Sequence, residues 1–362
     1  MKSNCVGRVA LVVGILCAAT AMATAQQYTM VALGFDGMSG QSGGYTGLNN
    51  NGDVVGYDSL TNAAFLYTGG VVTSLGLGYG DGTAINSRGQ VALQSSTSVH
   101  SYLYTPPNTG HLVDLGTLGG GGGLNNSGQT YAMAMNDSGT IVGSSSYPGS
   151  TPTWHAFVYA NGQISNLGVL AAGGSSMARA INTQGQIVGD SWSTGGYDRA
   201  FQMVNGTMTD MDPGNSAYDS YAQGINDAGQ TIVITNKAWH QVWVSRYKLL
   251  WVAYRGPIWY TLLYNSNGTG ANLGNLGSAL GTYGLGMNNS GDVVGLSYLA
   301  NGDQRAFVYH VGAMIDLNTH VVNLSGWTIA KANNINDFGQ IVCFARAPDG
   351  TYQIVVLTPV PA

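Results

Sequence analysis

The sequence runs to 362 residues, of which 8% are charged and 55 are glycine, roughly twice the usual share. Every one of its 17 acidic residues is Asp, Glu being absent, and with 12 Lys and Arg the formal net charge is −5. Such a chain is too poor in charge for a disordered tail and lacks the basic excess that nucleic acid requires. It also replaces a helix former by turn formers, which points to short strands joined by tight turns.

Residues 1–25 read as a cleaved secretory signal. Lys2 and Arg8 give a basic start, Val9 to Ala19 an apolar run, and Ala23-Thr24-Ala25 a small-x-small cleavage site before Gln26. A membrane anchor is the alternative, but the run is short for a span of about 20 residues. A lipoprotein reading from Cys17 meets Leu16 where a small residue is needed. Cleavage leaves Cys343 as the single thiol, so no internal disulfide is expected. It also leaves 10 basic residues against 17 Asp, a net charge of −7.

The remainder, 26–362, is expected to form one domain. Tyr28 to Gly34 is a strand ending in Leu-Gly. Then a motif of the type Ile181-Asn182-Thr183-Gln184-Gly185-Gln186-Ile187-Val188-Gly189 occurs seven times, its turn glycines at 52, 89, 139, 185, 229, 291 and 339. Asn at the first position of a type I turn accepts main-chain hydrogen bonds, and Gly at the fourth takes the positive φ that follows. With apolar flanks the motif predicts an antiparallel hairpin, its last Gly permitting close approach of strands. The segment Asn125-Asn126-Ser127-Gly128 resembles the turn without its flanks and reads as a loop insertion.

Two more strands accompany each turn. One carries Ala-Phe-Val-Tyr or a variant, as at His155 to Tyr159 and Arg305 to Tyr309. The other ends in Asp-Leu-Gly or a relative, as at Asp114 to Gly116. Four strands in about 45 residues, seven times over, predict an all-β, seven-bladed β-propeller, with a linear β-solenoid as the alternative. The last unit lacks a fourth strand, and the N-terminal strand is in excess. Pairing Tyr28–Gly34 with Tyr352–Leu357 closes the ring and removes two open edges.

These units, with His155-Ala156-Phe157, Asp114 to Gly120 and the Ile-Asn-x-x-Gly-Gln-Ile-Val-Gly motif, resemble the HAF-type extracellular repeats of bacterial exported proteins over nearly all of 26–362. The resemblance implies a secreted repeat protein and carries over no catalytic residue. Some relatives end in a sorting signal or an autotransporter domain. This sequence ends at Thr358-Pro359-Val360-Pro361-Ala362 with neither, so a surface anchor is not expected.

One interval breaks the period. The 62 residues between the fifth and sixth turn glycines exceed the mean of the others by 17, and the excess lies at about 236–257. Lys237, Arg246, Lys248 and Arg255 fall there with no Asp, and Trp239, Trp243, Tyr247 and Trp251 recur every fourth residue. The pattern fits a basic aromatic helix or hairpin projecting from blade five, and these four aromatics are the candidate binding surface. The structural alternative packs them over a neighbouring blade, or makes Val242-Trp243-Val244 the blade's third strand. A local sequence error would also produce such a segment.

No catalytic constellation is legible. Eight Asp recur at equivalent places: Asp53 and Asp292 after turn glycines, Asp137, Asp227 and Asp337 in turns, Asp114, Asp210 and Asp316 before Leu or Met. Recurrence is what turn making predicts, whereas catalysis needs one unlike cluster. His100 and His155 share a slot with Ala63, Arg199 and Arg305, which reads as a solvated strand start. No metal site is expected, the Asn- and Asp-rich turns lacking a calcium loop's carboxylate ladder. Gly119 to Gly123 lacks the Lys and following helix of a phosphate loop.

No cofactor is implied. The expected function is a secreted, monomeric, non-catalytic binding module for a protein or glycan partner, extracellular or periplasmic. The alternatives are a polysaccharide lyase or hydrolase on the same scaffold, or a structural envelope protein. An enzyme would bring several of Asp36, Asp58, Asp81, Asp190, Asp198, Asp219 and Asp303 into one cleft.

Overall fold

The computed structural model describes residues 26–36, 46–78, 80–95, 99–106, 112–119, 128–148, 153–212, 218–247, 250–277 and 281–361, with backbone alone for 35–36, 76–78 and 237–257. The expected signal segment, the Asn125-Asn126-Ser127 insertion and most of the Gly119 to Gly123 run lie outside the described residues. The rest is all-β: seven four-stranded antiparallel sheets form a seven-bladed β-propeller. Blades one to six occupy 47–78, 80–114, 130–168, 176–210, 220–272 and 282–316, each in simple sequence order.

Blade four shows the plan. Ser176–Ile181 is innermost, followed outward by Ile187–Trp192, Asp198–Val204 and Thr207–Asp210. The middle strands are covered by neighbouring blades on both faces, which is why they read as continuous apolar runs. Phe201 and its equivalents Phe65, Phe157 and Phe307 are at most 1% exposed. Burying one such ring contributes on the order of 1.5–3 kcal/mol. Val142 and Ala156 of blade three meet Ala178, Ile187 and Phe201 of blade four in one cluster, so the core lies between blades.

Blade seven takes Thr328–Ile335, Ile341–Arg346 and Tyr352–Pro359 from the C-terminal end and Tyr28–Asp36 from the N-terminal end. Tyr28 pairs with Pro359, Met30 with Leu357 and Ala32 with Val355. The surplus first strand and the missing last one thus complete a single sheet.

The turn motif does more than form a hairpin. In all seven turns the Asn Oδ1 accepts the N–H of the residue four places on, at 2.9–3.1 Å. The Gly N–H bonds back to the Asn carbonyl. In six turns the Asn Nδ2 also donates to the carbonyl of the corresponding Asn of the next blade, as from Asn182 to Asn226 at 3.1 Å. The conspicuous Asn is therefore the hook between blades as well as the start of the turn. The final Gly has the expected tight contact: a Cβ on Gly143, Gly189 or Gly295 would sit 1.9 Å from a carbonyl oxygen of the innermost strand.

One expectation needs correction, and another is narrowed. The slot shared by His100, His155 and Arg199 is not a solvated strand start, since His155 is 8% and Arg199 2% exposed. Each faces the polar residue of the fourth strand: His100 Nδ1 lies 2.9 Å from Asp114 Oδ2, His155 lies against Asn166, and Arg199 Nε lies 3.3 Å from Asp210. The two repeat motifs are thus a cross-strand pair, which lets His or Arg enter the interior. In blade five, of the helix or hairpin expected at about 236–257, the described backbone forms the hairpin. Thr231–Tyr247 and Leu250–Tyr264 pair along their length, with Trp243 opposite Ala253. The third strand of the blade proper is Trp259 to Tyr264, because Val233 pairs with Leu262 as Gly189 pairs with Phe201. Val242-Trp243-Val244 belongs to the extension.

Candidate functional site

The recurring residues hold the scaffold, so the site is sought where the repeats differ. The innermost strands surround a central channel, and a cavity of about 330 Å³ lies within it. In blades two to seven the pairing of the first and second strands slips by one residue, as between Ala178 and Ala180. A bulge of this kind re-aims the extra side chain. The bulged residues and their blade-one equivalent are Thr46, Thr83, Met133, Arg179, Gln223, Leu285 and Asn333, and all seven line the cavity. Repeated backbone geometry thus presents an unrepeated ring of side chains.

The two ends of the channel differ. At the turn end a second cavity of about 200 Å³ is framed by the Asn turns. There the residue after the Asn reaches the next blade in five of the turns: Ser87 N–H donates to Asp137, Thr183 N–H to Asp227, Asp227 N–H to Asn289, Asn289 N–H to Asp337, and Asp337 N–H to Asn50. Asp53 and Asp292 accept from their turn Asn, and Asp114, Asp210 and Asp316 each accept a main-chain N–H two residues on. The eight recurring Asp are structural in this sense.

The other end carries the loops joining second to third strands, and the blade-five hairpin extends from it. Here three of the seven unrepeated Asp approach one another across blades four and five. Asp198 Oδ2 accepts the Tyr221 hydroxyl at 3.1 Å. Asp219 accepts the Asp198 N–H at 3.1 Å and the Asn236 amide at 3.1 Å. Asp190 is ion-paired with Arg179, whose guanidinium lies 5.5 Å from the Tyr221 ring centre. Aromatic rings continue the surface into blade six. Tyr221, Trp259, Tyr283 and Tyr298 follow one another at centroid separations of 5.7, 6.1 and 6.1 Å, each half-buried. Asp58 and Asp303 instead serve local turns.

Burial raises the Asp190 carboxyl above the ordinary range even with Arg179 beside it. Burial also raises Asp198, opposed by the Tyr221 hydrogen bond and reinforced by the Asp219 charge. Tyr221 is pushed upward by burial and by Asp198 and Asp219, so it keeps its proton and donates it to Asp198. Each of the three carboxylates is already engaged by a protein group. Among the described residues no group of three or more His, Cys and Asp could hold a metal ion.

The predicted aromatic set Trp239, Trp243, Tyr247 and Trp251 lies on the hairpin, of which only the backbone is described. Its root joins the site, since Asn236 bonds Asp219 and Trp259 stands between Tyr221 and Tyr283. Sequence reasoning missed Arg179, Tyr221, Tyr283 and Tyr298. Comparing the residues just before each Ile-Asn would have shown Arg179, as the one charged residue among the bulged positions.

No protein-family model matches the chain, and no curated protein does. Solved structures share its fold. Puromycin hydrolase is 13% identical with a TM-score of 0.57, covering 89% of this chain and 52% of its own. Virginiamycin B lyase from Staphylococcus aureus is 11% identical with a TM-score of 0.55, covering 92% and 100%. A Mycobacterium tuberculosis puromycin-hydrolyzing peptidase is 12% identical with a TM-score of 0.55, covering 92% and 56%. This chain spans about half the length of the two hydrolytic proteins, and at such identities the likeness is one of fold alone.

Proposed function

We propose that this protein is an exported, non-catalytic binding module of the HAF-repeat type, and that it holds a glycan of the cell envelope at the hairpin end of blades four to six. The observation that carries the reading is the unrepeated surface of Tyr221, Trp259, Tyr283 and Tyr298 bordered by Asp198 and Asp219. Half-buried aromatic rings offer flat apolar faces to the C–H faces of sugars, and the acids beside them accept hydroxyl hydrogens. The backbone hairpin that carries Trp239, Trp243, Tyr247 and Trp251 stands at the same end. Export rests on the N-terminal signal pattern.

The test is retention of the purified chain, starting at Gln26, on envelope polysaccharide fractions. Trp259→Ala and deletion of 238–256 are each expected to reduce retention at least tenfold with folding intact. Unchanged retention by both contradicts the site. Export is tested separately: the chain recovered outside the cytoplasm should begin at Gln26.

Convergence of Asp190, Asp198 and Asp219 favours a second reading, a polysaccharide-cleaving enzyme. Against it, the Tyr221 proton is committed to Asp198 and the Asp190 charge to Arg179, which leaves no poised acid–base pair. New reducing ends or unsaturated products from the same polysaccharides, abolished by Asp198→Asn, would favour the enzyme.

A further inference from the structure

The central cavity has a charge pattern unlike the rest of the molecule. In a chain of net charge −5 its lining includes Arg179 and Lys331 and no carboxylate. The acids stand outside it: Asp137, Asp227 and Asp337 in the turn collar, Asp190 behind Arg179. Asp81 holds the place on blade two that Lys331 holds on blade seven, but it does not line the cavity.

The two cations are presented differently. Arg179 is fixed by Asp190 at Nε, and among the described residues its terminal Nη groups have no hydrogen-bond partner. Lys331 has no hydrogen bond or ion pair among the described residues, although burial disfavours its charged form. A half-buried ammonium without a counter-charge costs stability, and a neutral residue of similar size would serve packing better. Retaining it is intelligible if something else supplies the negative charge. Around the cations stand the Gln223 and Asn333 amides and the apolar chains of Met133 and Leu285. That mixture suits an organic acid better than a bare phosphate, which has no use for apolar walls. The volume, about 330 Å³, falls in the small-molecule range.

We infer that the central channel binds a small organic acid whose carboxylate is held by Lys331, with the Arg179 Nη groups as its second cationic contact. The inference does not depend on what the hairpin end binds.

The test is thermal shift and calorimetry on the purified chain with glutarate, butyrate, inorganic phosphate and uncharged glutaramide. At least one of the two carboxylates should stabilise the wild type saturably while glutaramide does not. Lys331→Met and Lys331→Gln should weaken that binding at least tenfold, and without ligand should be no less stable than the wild type. No saturable effect of either carboxylate, an effect of phosphate alone, or unchanged binding by both variants overturns the inference. So does a loss of stability in both variants without ligand, since it would make Lys331 structural. Retention on polysaccharide is a different readout, so failure here leaves the glycan reading standing.

Discussion

Asn336 Nδ2 donates to the main-chain oxygen of Asn49 at 3.0 Å, joining residues 287 positions apart in the chain. It is the same bond that Asn182 makes to Asn226 within the chain's run. The ring is therefore closed twice, by the Tyr28–Asp36 strand in blade seven and by this amide at the turn end.

The buried turn amides should be costly to remove. Asn182→Ala leaves the Gln186 N–H without a partner and the Asn226 carbonyl with the Gly229 N–H alone, and a loss of about 2–4 kcal/mol in urea denaturation is expected. Asn182→Asp keeps the acceptor but sets a buried carboxylate oxygen against the Asn226 carbonyl and Gln186 Oε1, so its cost should be no smaller than that of Ala. An Ala variant within about 0.5 kcal/mol of the wild type contradicts the hook.

Arg199 is 2% exposed and serves Asp210 together with the carbonyls of Tyr218 and Asp212. Arg199→Ala uncovers all of them and should cost about 3–5 kcal/mol. Because His100 and His155 fill the same slot, Arg199→His should retain part of that stability. Equal losses for Ala and His would show that the slot is filled by volume and not by the polar pair.

At Gly189 a Cβ would lie 1.9 Å from the Met177 carbonyl oxygen. Gly189→Ala must push the innermost strand toward the channel, and a cost of at least about 2 kcal/mol is expected. Val233 stands at the corresponding point of blade five, so Val233→Gly should instead cost stability by emptying the blade interface. Chemical denaturation of the two variants distinguishes local sterics from a general need for glycine.

Burial raises the Asp81 carboxyl above its ordinary value of 3.8. Between that value and the raised one, the folded chain holds a proton that the unfolded chain has lost, so stability falls as pH rises through the window. Asp81→Asn removes this dependence. It should be more stable than the wild type near pH 7, and the difference should vanish below pH 3.8. A variant less stable at pH 7 would mean that the carboxylate is wanted in its charged form.

The periodic part of this molecule was legible because its residues do local work. Asn182 and Gly185 act within five positions of each other, and seven copies give both the blade count and the closing strand. The site was less legible because its members come from different blades. Asp198 meets Tyr221 across a blade boundary, and Arg179 reaches the channel only because a bulge turns it there. The hairpin was ambiguous for a geometric reason. Spacing by four, as at Trp239, Trp243, Tyr247 and Trp251, fits one face of a helix and equally an alternating strand. The His and Arg slot was misread because burial there depends on a partner in another strand motif.

The repeats build the frame, and the proposed ligand surface is the unrepeated hairpin end of blades four to six. Hydrogen–deuterium exchange of the chain bound to the polysaccharide that retains it tests this most directly. Slowed exchange is predicted at 198–199, 219–221, 258–260 and 282–284, with the Asn turns unchanged. Protection confined to the turn collar around Asn50, Asp137, Asp227 and Asp337 would contradict the account.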